Sequence, residues 1–283
     1  MTPRTHVPIT NGRLGYRCVG DGPDIVFVHG WPLHREIWAE VAAALPGHRC
    51  HLIDLPGAGD SVMDDAVELG FDSLLRGLGE AIDELSLERF AVVASDSGGM
   101  VARRLVADRG EQVTALVLTG TEIPNERPWL LRLFLAVSRL PFAASLLRLN
   151  LGTRLLLHSP LVLGGAFDDR SLIDGAFHRS FVEPLLTDRS LMKRQLEVLR
   201  SYRWSDVDAL LDVHARISAP TLLLWGANDP VFPADTARGM LDQFAGPAAF
   251  ESIERGKLFA FAEFPDHFAA RAAAFLASSV RAV

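Results

Sequence analysis

The chain has 283 residues, 49% of them hydrophobic and 22% charged, with a formal net charge of -7 at pH 7. These are the proportions of a folded globular protein long enough to bury a large core, and they exclude a disordered chain. The acidic balance argues against nucleic acid, whose phosphates need a basic surface, and against attraction to anionic membranes.

The two cysteines, Cys18 and Cys50, read as free thiols of a reducing compartment. The opening MTPRTHVPIT has no apolar leader, so a cytoplasmic protein is expected. The most apolar stretch, 130–152, is interrupted by Arg132, Arg139 and Arg148 and broken at Pro141. No uncharged run there approaches the ~20 residues that a membrane span needs. It reads as two amphipathic helices. Internal repeats are absent.

In chain order, DIVFVHG (24–30) is a buried apolar run ending in glycine, REIWAEVAAAL (35–45) is helical, and HRCHLIDLPG (48–57) is strand then turn. A helix fits 72–86. RFAVVAS (89–95) is the next strand, GGMVARRLVAD (98–108) the next helix and VTALVLTG (113–120) another strand. Such alternation predicts a parallel sheet with helices on both faces, with ligands bound beyond the carboxyl ends of the strands. From 122 to 215 there is no strand signal, only Leu-, Phe- and Arg-rich helical segments broken at Pro141, Pro160, Gly164–Gly165 and Pro184. Strand grammar returns at PTLLLWGANDP (220–230). A helix near 235–244, a strand near 248–253 and a last helix from Pro265 follow. The expectation is an α/β core formed by 1–121 and 216–283, with a helical cap, 122–215, whose apolar faces roof a dry pocket for a small molecule.

VVASDSGGM (92–100) carries the chemistry. A strand ends in a small residue, a polar corner follows, and two glycines open a helix. A turn this tight admits only small neighbours and pushes one reactive side chain out alone. Ser95, Asp96 and Ser97 compete for its tip.

Four motifs in order decide among them: HGWP (29–32), DLPGAGDS (54–61), ASDSGGMVA (94–102) and LLLWGANDPVFP (222–233). With the layout above, they make the sequence resemble the α/β-hydrolase family, in its Asp-nucleophile branch of epoxide hydrolases and haloalkane or haloacetate dehalogenases. The resemblance implies a mostly parallel sheet flanked by helices, with the cap inserted after the sixth strand. The family pattern after the nucleophile is x-G-G-x-V-A, and only the register starting at Asp96 completes it. The resemblance further implies Asp229 as the acid, with Glu122 as an alternate, and the backbone N–H groups of Trp31 and Ser97 as oxyanion donors. It implies no metal and no cofactor. A carboxylate of ordinary pKa ~3.9 is ionised at neutral pH and attacks an electrophilic carbon directly, leaving an alkyl ester. In the family a histidine, oriented by the acid, then activates water to cleave that ester.

That histidine has no counterpart. The family's last motif is Gly-His-Phe followed by an acid and a proline. Anchoring on AEFPD (262–266) puts Lys257 at the glycine, Leu258 at the histidine and Phe259 at the phenylalanine. Leu258 is either a natural loss or an engineered change. His34, His158 and His178 are candidates to face the pocket in its place, whereas His29 belongs to the HGWP turn. Lys257, if it pointed inward, would neutralise Asp229. LRSYRW (199–204) is similar to the Tyr-Arg cap segment of epoxide hydrolases, which makes Tyr202 a candidate acid on an epoxide oxygen, with His178 able to share the role. Ser97 stands where haloalkane dehalogenases often carry a halide-binding tryptophan, and the arginine clamp of fluoroacetate dehalogenases is absent. The reading is a hydrolase of a small, mostly apolar molecule. A non-hydrolytic acid/base enzyme (cyclase, isomerase or lyase) using Asp96, and a small-ligand receptor, are the alternatives.

Overall fold

Strands buried on both faces occupy the centre of the molecule, and their sequences show why. All six residues of FAVVAS and all six of TLLLWG are buried, the continuous apolar run that a parallel strand needs when helices cover both sides. The computed structural model describes residues 5–280; residues 1–4 and 281–283, the ends of the expected core, lie outside them. The strands are β1 (His6–Ile9), β2 (Gly12–Val19), β3 (Asp24–Val28), β4 (Arg49–Ile53), β5 (Val62–Met63), β6 (Phe90–Ser95), β7 (Val113–Thr119), β8 (Thr221–Gly226) and β9 (Ala248–Ile253). They form one sheet in the order β1-β2-β4-β3-β6-β7-β8-β9, with the two-residue β5 paired to β2 off this path. Strands β4, β3, β6, β7, β8 and β9 run parallel, while β1 and β2 are antiparallel.

Register positions the site. Val28 pairs with Ala94 and Ser95 with Thr119, so the segments after β3, β6 and β7 leave the sheet side by side. The expected strands and the helices Phe71–Glu84, Asp96–Arg109 and Pro265–Val280 are present. Two expected helices are broken. Residues 35–45 form a 3₁₀ turn, Arg35–Trp38, followed by a short helix, Ala39–Ala43. Residues 235–244 split into Ala234–Arg238 and a 3₁₀ turn, Leu241–Gln243. The hairpin β1–β2 is an addition to the predicted elements. Its long strand buries three consecutive residues rather than alternate ones, so no period-2 pattern announces it.

The insertion after β7 contains only helices among residues 122–215, the longest being Trp129–Ser138, Ala143–Gly152 and Arg189–Arg200. Setting the short β5 aside, β7 is the sixth strand. Ala143, Leu147, Leu185, Met192 and Leu196 give the insertion a small core of its own. Among the described residues no helix is long and apolar enough to cross a membrane. Cys18 is exposed, Cys50 is buried, and both are free thiols.

The DLPGAGDS turn is a structural clasp. Asp54 is fully buried and accepts hydrogen bonds from the backbone N–H groups of Arg35 (2.7 Å) and Asp60 (2.9 Å), while the Arg35 guanidinium pairs with it. Gly59 has φ +50°, and a Cβ there would lie 2.3 Å from Asp54 Oδ2. The elbow glycines are as tightly constrained. A Cβ on Gly98 would sit 2.2 Å from the His29 carbonyl oxygen, and one on Gly99 would sit 2.3 Å from Thr121 Oγ1.

Gly98→Ala therefore forces backbone against backbone and is expected to destabilise the fold by about 1–3 kcal/mol, read as a lowered denaturation midpoint. Gly79→Ala is the control. It lies inside the helix Phe71–Glu84, its new methyl would meet only the tip of Arg109 at 3.3 Å, and alanine is the better helix former, so its midpoint should hold or rise.

Candidate active site

The sharpest feature of the backbone is Asp96. Its φ is +48°, a conformation shared among non-glycine described residues only with Ser86 and Asn125, and one that costs of order 1–3 kcal/mol unless neighbours enforce it. They do so on both sides. The Asp96 N–H donates to the Gly120 carbonyl at 2.9 Å, and the Thr121 hydroxyl donates to the Asp96 carbonyl at 2.8 Å. Gly30 makes room for the side chain, because a Cβ there would fall 2.4 Å from Asp96 Cβ. The Asp96 carboxyl lines a cavity of about 300 Å³ between the strand ends and the inserted helices. Its wall is built of leucines from the helices, with Phe134, Phe259 and Leu258, and among the described residues its only polar or charged side chains besides the Trp31 indole are Asp96, Asn150 and Gln195. The backbone N–H groups of Ser97 and Trp31 lie close enough to favour the ionised carboxyl. The Trp31 N–H also reaches Ser97 Oγ at 2.9 Å.

Charge around this carboxyl is unbalanced. Burial pushes the Asp96 pKa well above the usual carboxylate range, the neighbouring Glu122 pushes it further and Asp229 adds a smaller rise, against the Ser97 and Trp31 donors that hold it down. This environment works against the ready ionisation expected from the sequence. Glu122 is itself buried and raised by burial, with Arg103 as its counterweight. Arg103 was not singled out by the sequence analysis. It is fully buried beneath the elbow and donates to the carbonyls of Gly99 and Glu122 and to Thr121 Oγ1, each at 2.9 Å, and to His214 Nε2 at 3.1 Å. Burial holds His214 down to about 3, so the ring is neutral, accepts from Arg103 and donates from Nδ1 to Gln243 Oε1 at 2.8 Å. A signal existed for Arg103, four residues after Gly99 on a helix face that also carries Ala102 and Val106. An arginine pair in a helix nevertheless reads as solvated surface.

Asp229 lies just after β8 and is 5% exposed. Its Oδ1 accepts from the backbone N–H groups of Val231 (2.8 Å) and Phe232 (2.9 Å), while Oδ2 is buried with no hydrogen-bond partner among the described residues. Burial pushes its pKa up to about 7. Leu258 stands beside it: a methyl group on Gly120 would touch both Leu258 Cδ1 (3.1 Å) and Asp229 Oδ2 (3.2 Å). Lys257 does not neutralise this carboxyl, so the inward arrangement considered above is not the one adopted. Its ammonium donates to the Phe167 carbonyl at 3.0 Å instead.

The other sequence candidates lie outside the cavity wall. His34 bonds from Nε2 to the Ser180 carbonyl at 2.9 Å and packs on Phe181. His158 bonds to Asp174 at 3.0 Å. His178 lines a separate surface depression with Arg154 and Asp174. Each is held by the cap, away from Asp96. His29 behaves as the turn residue it was taken for, with Nδ1 bonded to the Gly30 carbonyl, Nε2 accepting from the Leu55 N–H, and its pKa held down to about 4 by burial. Tyr202 is 3% exposed, packs on Phe71 and Trp204, and leaves its hydroxyl without a partner among the described residues. Burial, then the charges of Glu122 and Asp96, raise its pKa. It sits behind the site rather than in the cavity wall.

Residues 23–265 match the alpha/beta hydrolase fold family. Among curated proteins, the chain is 29% identical over 231 residues to a pimeloyl-acyl-carrier-protein methyl ester esterase of Nitrosomonas europaea, covering 78% of this chain and 83% of that protein. It is 26% identical over 264 residues to haloalkane dehalogenase 2 of Mycobacterium tuberculosis, covering 92% and 90%. Among solved structures, a meta-cleavage product hydrolase of Pseudomonas fluorescens superposes with a TM-score of 0.80 at 18% identity, covering 98% of both chains. A haloalkane dehalogenase variant from Bradyrhizobium elkanii superposes with 0.77 at 21% identity, covering 98% and 97%. The family match over most of the chain and the superpositions over nearly all of it lead to one conclusion: the chain belongs to the α/β-hydrolase fold family.

Proposed function

We propose that this chain is an α/β-hydrolase-fold enzyme in which Asp96 is the nucleophile toward a small, mostly apolar electrophile of the haloalkane or epoxide type, and in which Leu258 occupies the position of the family's base. The observation that carries this reading is the strained Asp96, whose carboxyl faces an apolar cavity beneath the Trp31 and Ser97 N–H groups. A serine nucleophile at position 97 would need a base to take its proton, and among the described residues no histidine lines the cavity. A carboxylate needs none for its first step. In that step an Asp96 oxygen bonds to the substrate carbon while halide leaves, or while an epoxide C–O bond breaks to give an alkoxide that takes a proton from solvent. The unpartnered Asp229 oxygen beside Leu258 supports the second half of the reading: the acid is in place without a group to orient. Water is then not activated, and the ester persists.

A second reading is favoured by the raised proton affinity of Asp96. A protonated Asp96 in a dry cavity is a proton donor, suited to a cyclisation, isomerisation or lyase step. The two readings have opposite pH dependence. As a nucleophile Asp96 reacts ionised, so its rate climbs with pH and levels off above its raised pKa. As a proton donor it loses activity over the same interval.

Three outcomes follow. A bromoalkane should add its alkyl mass to the intact protein, and an epoxide its whole mass, in wild type but not in Asp96→Ala, at a rate that climbs with pH. Leu258→His should shorten the lifetime of that adduct by several orders of magnitude, comparable with the effect of a base in related triads (up to ~10⁶). Persistent multiple turnover by wild type without an adduct would sink the nucleophile reading.

The third outcome concerns stability. Asp229 is raised from 3.8 to about 7 in the folded protein, so between those values the folded state holds a proton that the unfolded state has lost. Stability from this group is therefore present below about pH 4 and is lost as pH climbs to about 7. Asp229→Asn keeps an acceptor for Val231 and Phe232 but cannot ionise. The difference between its urea midpoints at low and high pH should be smaller than in wild type.

A further inference from the structure

We propose that Gln195 determines specificity in this cavity: its side-chain carbonyl accepts a hydrogen bond from a hydroxyl or N–H group that the substrate carries away from its reacting carbon. The proposal rests on the reading of the cavity as the substrate site, and it narrows the substrate from a bare apolar electrophile to one bearing a single donor, such as a halo-alcohol.

Gln195 lies on the cap helix Arg189–Arg200, on the same face as Met192, Leu196 and Leu199, and is 3% exposed. A polar residue so deeply buried on an apolar face requires partners. Half of the amide has one. Nε2 donates to the Gly57 carbonyl at 2.9 Å. A carbonyl can only accept, so the amide orientation is set: nitrogen toward Gly57, oxygen away from it. Gly57 turns the chain here with φ +81°, and an added Cβ would fall 2.6 Å from Leu69 Cδ1. The main-chain carbonyl of Gln195 is also engaged, accepting from the Trp31 indole Nε1 at 2.9 Å.

The remaining atom is Oε1. It makes no hydrogen bond among the described residues, and it is not one of the unpartnered polar atoms sealed from solvent. Gln195 is one of the residues that line the cavity, and Oε1 is the one polar atom of its side chain left without a protein partner among the described residues. Water can satisfy Oε1 while the cavity is unfilled. An apolar ligand that displaces this water leaves a desolvated acceptor unpaired, whereas a ligand with a donor restores the bond. Sites built this way reject the analogue lacking the donor more strongly than apolar contacts could. Trp31 sets the spacing. Its backbone N–H lies beside the Asp96 carboxyl and its indole N–H donates to the main-chain carbonyl of Gln195, so one tryptophan links the nucleophile to the helix that carries Gln195, and the substrate's donor lies away from the reacting carbon.

Two probes of matched size, ω-bromohexanol and n-bromoheptane, test this by the rate at which each adds mass to Asp96. Wild type should prefer the alcohol by about tenfold or more, and in Gln195→Met that preference should fall to about one. Gln195→Met also removes the bond to Gly57, but a loosened cap would slow both probes alike and leave their ratio intact, so the ratio is the readout. Absence of a preference in wild type, or its survival in Gln195→Met, overturns the proposal. A second arm separates it from the nucleophile reading. Asp96→Asn cannot form the ester, and displacement of a fluorescent apolar dye by the two matching chlorides, ω-chlorohexanol and n-chloroheptane, reports Kd alone. A Gln195-dependent preference in this arm with no adduct in wild type removes the nucleophile and keeps Gln195. Adducts without preference do the reverse.

Discussion

Position 96 combines a left-handed backbone with a carboxylate, and every other part of the site is arranged around holding that combination. The turn from β6 into its helix is possible because Gly98 lies against the His29 carbonyl and Gly99 against Thr121, at separations that no side chain could tolerate. The same contacts bring the segments after β3 and β7 against the elbow. The Trp31 N–H therefore faces the carboxyl from one side, and Gly120, Thr121 and Glu122 approach from the other. Strain at one residue is thereby tied to the packing of three loops, which is how such a conformation survives in a folded chain.

Electrostatics is the second constraint. Asp96, Glu122 and Asp229 are buried near one another, and the guanidinium beneath them, Arg103, is directed at carbonyls, a hydroxyl and a neutral His214 rather than at any carboxylate oxygen. Burying a charged group without an opposite charge is expensive, and such groups hold their protons instead. The raised proton affinities of all three carboxyls have this common origin. An apolar side chain at 258 sharpens the imbalance, because it offers Asp229 neither a donor nor a positive charge. A site of this kind is poorly equipped to activate water. It is well equipped to exclude it.

The cap contributes more than a roof. Its leucines line the cavity with apolar surface, and its helix Arg189–Arg200 is hydrogen-bonded to the core through Gln195, which contacts both the HGWP loop and the DLPGAGDS turn. Two motifs that mark the family in the core are thus also the places where the cap is anchored. The shape of the cavity and the position of its polar groups depend on that junction.

The order of strands and helices, the strandless insertion and the position of the elbow were legible in the amino-acid sequence, because each depends on local patterning: apolar runs, turn glycines and their spacing. The turn at Asp96 was legible for the same reason: the glycine register after it has one solution, and the positive φ falls at that residue. The hairpin β1–β2 was not, because its burial does not alternate. Distant side-chain relations were equally out of reach. Whether His34, His158 and His178 meet Asp96, where Lys257 sends its ammonium, and which way Tyr202 faces depend on how the cap is set on the core, and in each case the structure sends the group elsewhere. Arg103 and Gln195 illustrate the limit best. Each is a polar residue in a helical run, and local sequence assigns such residues to solvent. Only the tertiary structure, by placing one beneath the elbow and the other over the cavity, withdraws them from water and makes their hydrogen bonds matter.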